Sequence, residues 1–295
     1  MNDKKSDTEI ASLCSVNFAI GILVVVINTI PFSILLVMKK FNSEISLVFV
    51  SVTIQMIDGV QFLIRGVRCN TISKWSYVPL VFIGECLMTN FEIYLRLFYH
   101  LARVCTMTLI TVNCILLFLM PRVHQKLEKW NFFQILILIL TILSVLYATV
   151  ICLYVWMNGS GGGGKIPQFC YYEQVLPRNY RRLAFVFNFV LYNLDVFFII
   201  FIILKHQFQK RFSDSKEKLS ESKERIAIVC RLAVFIVIEA SLRIYPKTFF
   251  SFMLKESTNL TVPNILYWSS NILASIYSVI YCFINPCIKH FFKKF

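Results

Sequence analysis

The sequence predicts an all-α fold: a seven-transmembrane helix bundle followed by a short C-terminal amphipathic helix. Three observations predict it. The 295-residue chain is 57% hydrophobic, carries 28 Phe, holds its charged residues to 16% and has a mean hydropathy of +0.67, whereas soluble domains carry about 25% charged residues. Its apolar residues gather into seven long runs, and about 20 apolar residues of helix cross a hydrocarbon core of about 30 Å. The runs also do not alternate. Ile135-Leu136-Ile137-Leu138-Ile139-Leu140 is apolar throughout, which excludes a barrel strand and leaves the helix as the element that satisfies its own backbone in lipid.

Taken in order, the runs are Cys14–Met38, Ile45–Ile64, Asn90–Met120, Phe132–Met157, Leu183–Leu204, Ile226–Leu254 and Asn264–Pro286, in a single domain over 1–295. The first follows the polar segment Met1–Ile10 and is about twice the length of a signal-peptide core, so it reads as an uncleaved anchor. The breaks Lys39–Glu44 and Pro121–Asn131 are tight and basic. The third run has a longer approach, because Val78–Thr89 is apolar but too short to span. One helix from Val78 to Met120 would be roughly 64 Å long at 1.5 Å per residue, so its upper part is expected outside the bilayer or bent. Gly161–Gly164, within the break Asn158–Arg182, favours a flexible loop. In Lys205–Arg225, Ser alternates with Lys, Glu and Asp, which suits either a solvated connector or a partner-binding surface on extensions of the fifth and sixth helices. Pro246 removes a backbone hydrogen bond from the sixth run and is expected to bend it. After the seventh, Ile288, Phe291, Phe292 and Phe295 recur at helical spacing with Lys289, His290, Lys293 and Lys294 between them. Residues 287–295 are therefore expected to form a cationic amphipathic helix suited to an anionic lipid surface.

The formal net charge of +14 points to a membrane and an orientation, not to nucleic acid. With the N-terminus outside, the inner segments hold 15 of the 30 Lys and Arg and the outer segments 10, which is the cytoplasmic bias of membrane proteins. The sequons at Asn158 and Asn259 both fall outside in that topology. Most of the ten cysteines lie in apolar runs, and Cys69, Cys86 and Cys170 are the outer-side candidates. An exoplasmic face is oxidising. Cys86–Cys170 would tie the approach to the third helix to the second outer loop, with Cys69 a competitor for either partner. No metal-ligand spacing and no cofactor motif is present, and His100, His124, His206 and His290 are scattered. An enzyme is not expected, nor is a metal or a cofactor.

Ionisable groups inside a bilayer are expensive, so each is a functional hypothesis. The runs contain Asp58, Arg96, His100, Arg103, Asp195, Glu239 and Arg243. Asp58 and Arg103 lie at depths that let them pair. Glu239 and Arg243 are spaced for an intrahelical pair. Arg96 can anchor an anionic or hydrogen-bond-accepting ligand, or it can pair with Glu92 four residues earlier. Asn285-Pro286 ends the seventh run immediately before the basic helix.

These features resemble a rhodopsin-like G-protein-coupled receptor over essentially all of residues 11–295. Asn28 resembles the family's helix-one asparagine, Asp58 its helix-two acid, Pro246 its helix-six proline, and Asn285-Pro286-Cys287-Ile288-Lys289 its Asn-Pro-x-x-Tyr motif with Lys for Tyr. Pro121 resembles the proline after the helix-three Asp-Arg-Tyr motif, whose place is held by Asn113-Cys114-Ile115. Within the family, the eroded motifs, short tail and many Phe are most similar to the nematode serpentine chemoreceptors. The resemblance implies a plasma-membrane receptor, C-terminus inside, that binds a small environmental molecule or pheromone and signals to a heterotrimeric G protein. It implies ligand anchors among Arg96, Tyr99, His100, Tyr192, Asp195 and Arg243. It implies a switch involving Asn28, Asp58, Arg103, Pro246, Asn285 and Pro286, and G-protein contacts at Arg122, Lys126, Arg211 and Arg225. The other class to weigh is a transporter or ion channel using Asp58, Arg103, Asp195 and Glu239, although no internal repeat of the transporter kind is visible.

Overall fold

A computed structural model describes residues 3–38, 42–72, 80–159, 165–167, 170, 175–212, 216–245 and 261–292. Among them are ten α-helices and one small sheet. The helices are α1 (Asp3–Val37), α2 (Ser43–Ile72), α3 (Ile83–Thr89), α4 (Phe91–Leu119), α5 (Pro121–Lys129), α6 (Phe132–Gly159), α7 (Arg178–Phe212), α8 (Lys216–Glu239), α9 (Thr261–Ile284) and α10 (Pro286–Phe292). A π-helical turn, Ala240–Ile244, continues α8. Strands β1 (Leu80–Phe82) and β2 (Lys165–Pro167) pair antiparallel, with Val81 opposite Ile166.

Among the described residues, six helices are long and apolar enough to cross a membrane, over Cys14–Val37, Ser43–Ile72, Phe91–Leu119, Phe132–Asn158, Arg182–Phe208 and Ile265–Ile284. The protein is an all-α membrane protein. The remaining expected crossing falls on α8, which carries Arg231 and Glu239, with Arg243 in the turn that follows. Residues 246–260, and with them Pro246 and Asn259, lie outside the described residues.

The helices start where short-range chemistry directs. Asn42 Oδ1 accepts from the Ile45 N–H at 2.8 Å and caps α2. Asn90 interrupts what would have been one long helix: it accepts from the Glu92 N–H at 3.3 Å and starts α4 anew after α3. Pro121 stands at the head of α5, where a missing N–H costs nothing. That helix fills the tight, basic break Pro121–Asn131.

Within the bundle α4 is the axis. Its spanning window is 61% buried, against 11% for α6, and α4 packs against α2, α6, α7 and α8. Leu138, Ile142, Leu146, Val150 and Leu153 of α6 point outward, which suits contact with lipid. The main apolar core gathers Leu47, Val52, Ile110, Ile202, Leu232, Ile236 and their neighbours. Against α1, α2 comes unusually close: a Cβ on Gly66 would stand 2.6 Å from the Phe18 backbone nitrogen, and one on Gly21 2.7 Å from that of Leu63.

Two disulfides mark one end. Cys86–Cys170 forms as expected and fastens β2's segment to α3. Cys69, expected to compete for those partners, instead bonds Cys14 at the start of the first apolar run. Cys14 sits inside that run, so its role was hidden by the hydropathy around it.

Candidate functional site: a polar column inside the bundle

Polar side chains form a column along the inner faces of α2, α4, α8 and α9. On α2 they are Gln55, Asp58, Gln61, Arg65 and Arg68, recurring at three and four residues, the spacing that keeps side chains on one helix face. On α4 they are Glu92, Arg96, Tyr99 and Arg103, again at four and three.

At the middle of the column lies the densest cluster. Arg103 Nη2 pairs with Glu239 Oε1, and Nη1 donates to the Tyr99 hydroxyl and, at 3.2 Å, to Asn271 Oδ1. Ser270 Oγ and Tyr192 Oη donate to the Glu239 carboxylate at 3.0 and 3.5 Å. The side chains of Arg103 and Glu239 are 4% and 1% exposed. Burying two charges is tolerable here because each has further hydrogen-bond partners, although Arg103 Nε is buried with none among the described residues. The cluster joins α4, α7, α8 and α9, and Glu239 is the residue from which the π turn departs. Such turns occur frequently at functional sites.

This arrangement corrects one expectation. Arg103 does not pair with Asp58: the Asp58 carboxylate accepts from the Tyr267 hydroxyl at 3.0 and 3.3 Å. Glu239 pairs with Arg103 across the bundle; the expected pair with Arg243 falls on a side chain outside the described residues. The rotation of each helix about its axis decides which side chains meet.

The expected ligand anchors separate. Tyr99 and Tyr192 belong to the Arg103–Glu239 cluster, and His100 lies edge-on to Tyr99. Asp195 faces elsewhere, accepting from Thr108 at 3.5 Å. Arg96 sits towards the disulfide end, with its Nε and Nη1 buried. Glu92, the alternative partner for Arg96, lies 3.9 Å from Arg65. A cavity of about 200 Å³ between α2, α4 and α6 is walled by hydrocarbon such as Phe49, Ile54, Phe98 and Leu109. None of the anchors lines it.

Towards the other end, Asn28 of α1 donates to Ser275 Oγ of α9 at 2.7 Å, and Ser278 Oγ donates to Gln55 at 3.3 Å. The column then closes on a group the sequence reading missed. Arg231 holds Glu44 with Nε and Nη2 at 3.0 and 3.3 Å, and Asn285 Nδ2 donates to the same carboxylate at 3.2 Å and to Tyr281 Oη at 2.7 Å. Asn285 also caps α10, accepting from the Cys287 N–H at 2.9 Å, with Pro286 in the first helical position. One residue thus links the last long helix, the terminal helix and the head of α2. Arg231 was a charged residue in an apolar run, the signal by which it could have been found.

Beside that group, buried His124 of α5 bonds Asn113 at 3.0 Å and Ser43 at 3.3 Å. Burial holds its imidazole below the usual value, partly opposed by Glu128. Arg122 and Lys126 are exposed on α5 and Arg225 is half-buried on α8; the Arg211 side chain is outside the described residues. Asn158 is exposed in the last turn of α6. On α10 Ile288 is buried while Cys287, Lys289 and His290 are exposed, so the described part of that helix is two-faced.

No protein-family model matches this chain, and no curated protein shows significant similarity to it.

Proposed function

We propose that the chain is a seven-helix G-protein-coupled chemosensory receptor, with α8 and the segment after it as its sixth crossing. The observation that carries the proposal is the Arg103–Glu239–Asn271 cluster. It joins three helices at mid-depth, lies beside a π turn, and sits between a charged group at one end and the Glu44–Arg231–Asn285 group at the other. A ligand shifts such a bundle only if it contacts its two packings unequally, and in this reading the buried ionic cluster is where the two packings differ. The charges of α8 favour its membrane crossing, because Glu239 and Arg231 are satisfied inside the bundle.

The disulfides support an orientation. Both lie at one end of the bundle, and oxidising compartments are outside the cytosol. The opposite end carries α5 with Arg122 and Lys126, suited to a G protein. In this reading the protein lies in the plasma membrane with its N-terminus outside. The ligand is a small environmental molecule or pheromone entering from the disulfide end.

One observation favours a transporter or channel: the column is polar along much of its length. A single experiment separates the two classes. Cells expressing the chain are challenged with a panel of volatile and water-soluble metabolites, with second messenger and membrane current recorded together. The receptor reading expects a G-protein-dependent response that is lost in Arg96→Ala. A ligand-evoked current that persists without G protein overturns it.

A further inference from the structure

We infer that the cavity between α4, α6 and α7 binds a small apolar amine, with the ligand's ammonium group on the Asp195 carboxylate. The inference goes beyond the receptor reading and rests on it only for what binding does to signalling.

Asp195 stands at the midpoint of the spanning segment Arg182–Phe208 and is 3% exposed. A charge at that depth ordinarily faces the bundle interior and meets a partner of opposite sign. Glu44, Glu92 and Glu239 follow that rule, each beside an arginine. Asp195 does not: among the described residues its partners are hydroxyls. Thr108 Oγ1 donates to Asp195 Oδ2 at 3.5 Å, the outer limit of such a bond. Thr111 is the second, but its hydroxyl also serves the Met107 carbonyl at 3.2 Å and has one proton to give. An ionised carboxylate offers about four acceptor positions, so this one has capacity for a further donor.

Space for that donor adjoins it. A cavity of about 170 Å³ is walled by Cys105, Thr108 and Leu109 of α4, Leu140 of α6, and Phe187 and Leu191 of α7. Thr108 carries the hydroxyl among these walls, and that hydroxyl is the one that reaches Asp195. Leu191 precedes Asp195 by one turn on the same face of α7. The carboxylate is therefore one hydrogen bond away from the cavity wall. An apolar cavity of roughly 150 Å³ takes up benzene, which limits the occupant here to about one ring with a short arm. The hydrocarbon walls take the ring, and the carboxylate takes the ammonium through a charge-assisted bond. Phe187 is 52% exposed on the outer surface of the bundle, so the way in is from the lipid. The site also adjoins the central cluster, because Tyr192, three residues before Asp195, donates to Glu239 at 3.5 Å.

The test uses the purified full chain in nanodiscs of zwitterionic lipid, with benzylamine as probe and benzyl alcohol as its uncharged counterpart. Binding is read by equilibrium dialysis of the radiolabelled compounds, with uptake by empty discs subtracted. Benzylamine is expected to bind about tenfold or more tightly than benzyl alcohol, the difference one charge-assisted bond makes. Asp195→Asn keeps the size of the side chain and abolishes that preference while leaving benzyl alcohol binding unchanged, whereas a general loss of structure lowers both. Cys105→Phe fills the cavity and weakens both compounds severalfold, and thermal melting shows that each variant is folded. Equal binding of amine and alcohol by the parent overturns the inference. So does a folded Asp195→Asn variant that still prefers the amine, or a folded Cys105→Phe variant that binds benzylamine as well as the parent. G-protein silence with benzylamine binding intact removes the receptor reading alone. Absence of benzylamine binding with G-protein signalling intact removes the amine site alone.

Discussion

Removing Glu239 alone leaves the Arg103 guanidinium charged in a site where its side chain is 4% exposed, and an uncompensated buried charge costs about 3–5 kcal/mol. Glu239→Leu is therefore expected to lower the melting temperature and surface expression sharply. Adding Arg103→Met to it should recover most of that loss, because two apolar groups of similar size replace a buried pair at little net cost. Melting curves of the single and double variants check this, and a double variant no better than the single would refute it. His124 carries a pH dependence. Its imidazole is held below the ordinary value of about 6.5, so in the window just below that value the unfolded chain takes up a proton that the folded one refuses. Stability should fall as pH drops through the window and level off below the folded value. Melting temperature against pH shows it, and His124→Gln should flatten that part of the curve. At this scale the sequence placed Asp58, Arg103, Asp195 and Glu239 within apolar runs, and all four are buried. It could not give their partners, because spacing along a helix fixes a face but not the neighbour that face meets.

The α1–α2 pair depends on the absence of side chains at Gly21 and Gly66, where a Cβ would fall 2.7 and 2.6 Å from facing backbone nitrogens. The nearest atoms are backbone, which cannot swing aside as the end of a flexible side chain would. Gly66→Val must push α1 away, and overpacking of this kind costs about 1–3 kcal/mol. The expected result is a lower melting temperature, and a Cys14–Cys69 bond reduced more readily by mild thiol; an unchanged melting temperature would contradict the close packing. This contact also explains why α2 runs to Ile72, beyond the Ile64 expected from hydropathy. Past Ile64 the sequence turns polar with Arg65, Arg68 and Asn70, which reads as the end of a membrane segment. The helix continues because Gly66 seats it against Phe18 and Cys69 ties it to Cys14. Tertiary packing of this sort leaves no periodic signal. Asn90, by contrast, was legible as a boundary, because the length of the combined segment already demanded a break.

Across the whole molecule, hydropathy carried most of the fold. Six runs correspond to the six helices able to cross a membrane, and the break after the third hides only the short helix α5. The site was less legible, because a polar column is built from several helices and no single stretch of sequence displays it. The group that closes it makes a prediction about the molecule's resting state. Glu44→Gln keeps a hydrogen-bonding group but removes the charge that holds Arg231 with two nitrogens at 3.0 and 3.3 Å. It should loosen α8 from the head of α2 and raise signalling without ligand. Basal second-messenger levels at matched surface expression read this out, and levels equal to or below the parent would count against a latch at that end.

The central claim, that this bundle activates a G protein, is tested most directly by guanine-nucleotide exchange. The purified chain in nanodiscs is mixed with a panel of heterotrimeric G proteins, and nucleotide exchange is followed with the chain, without it, and with the Glu44→Gln variant. Faster exchange on at least one heterotrimer, greater still with Glu44→Gln, is the predicted result. Exchange at the same rate in all three samples, from chain shown to be folded and monodisperse, would contradict it.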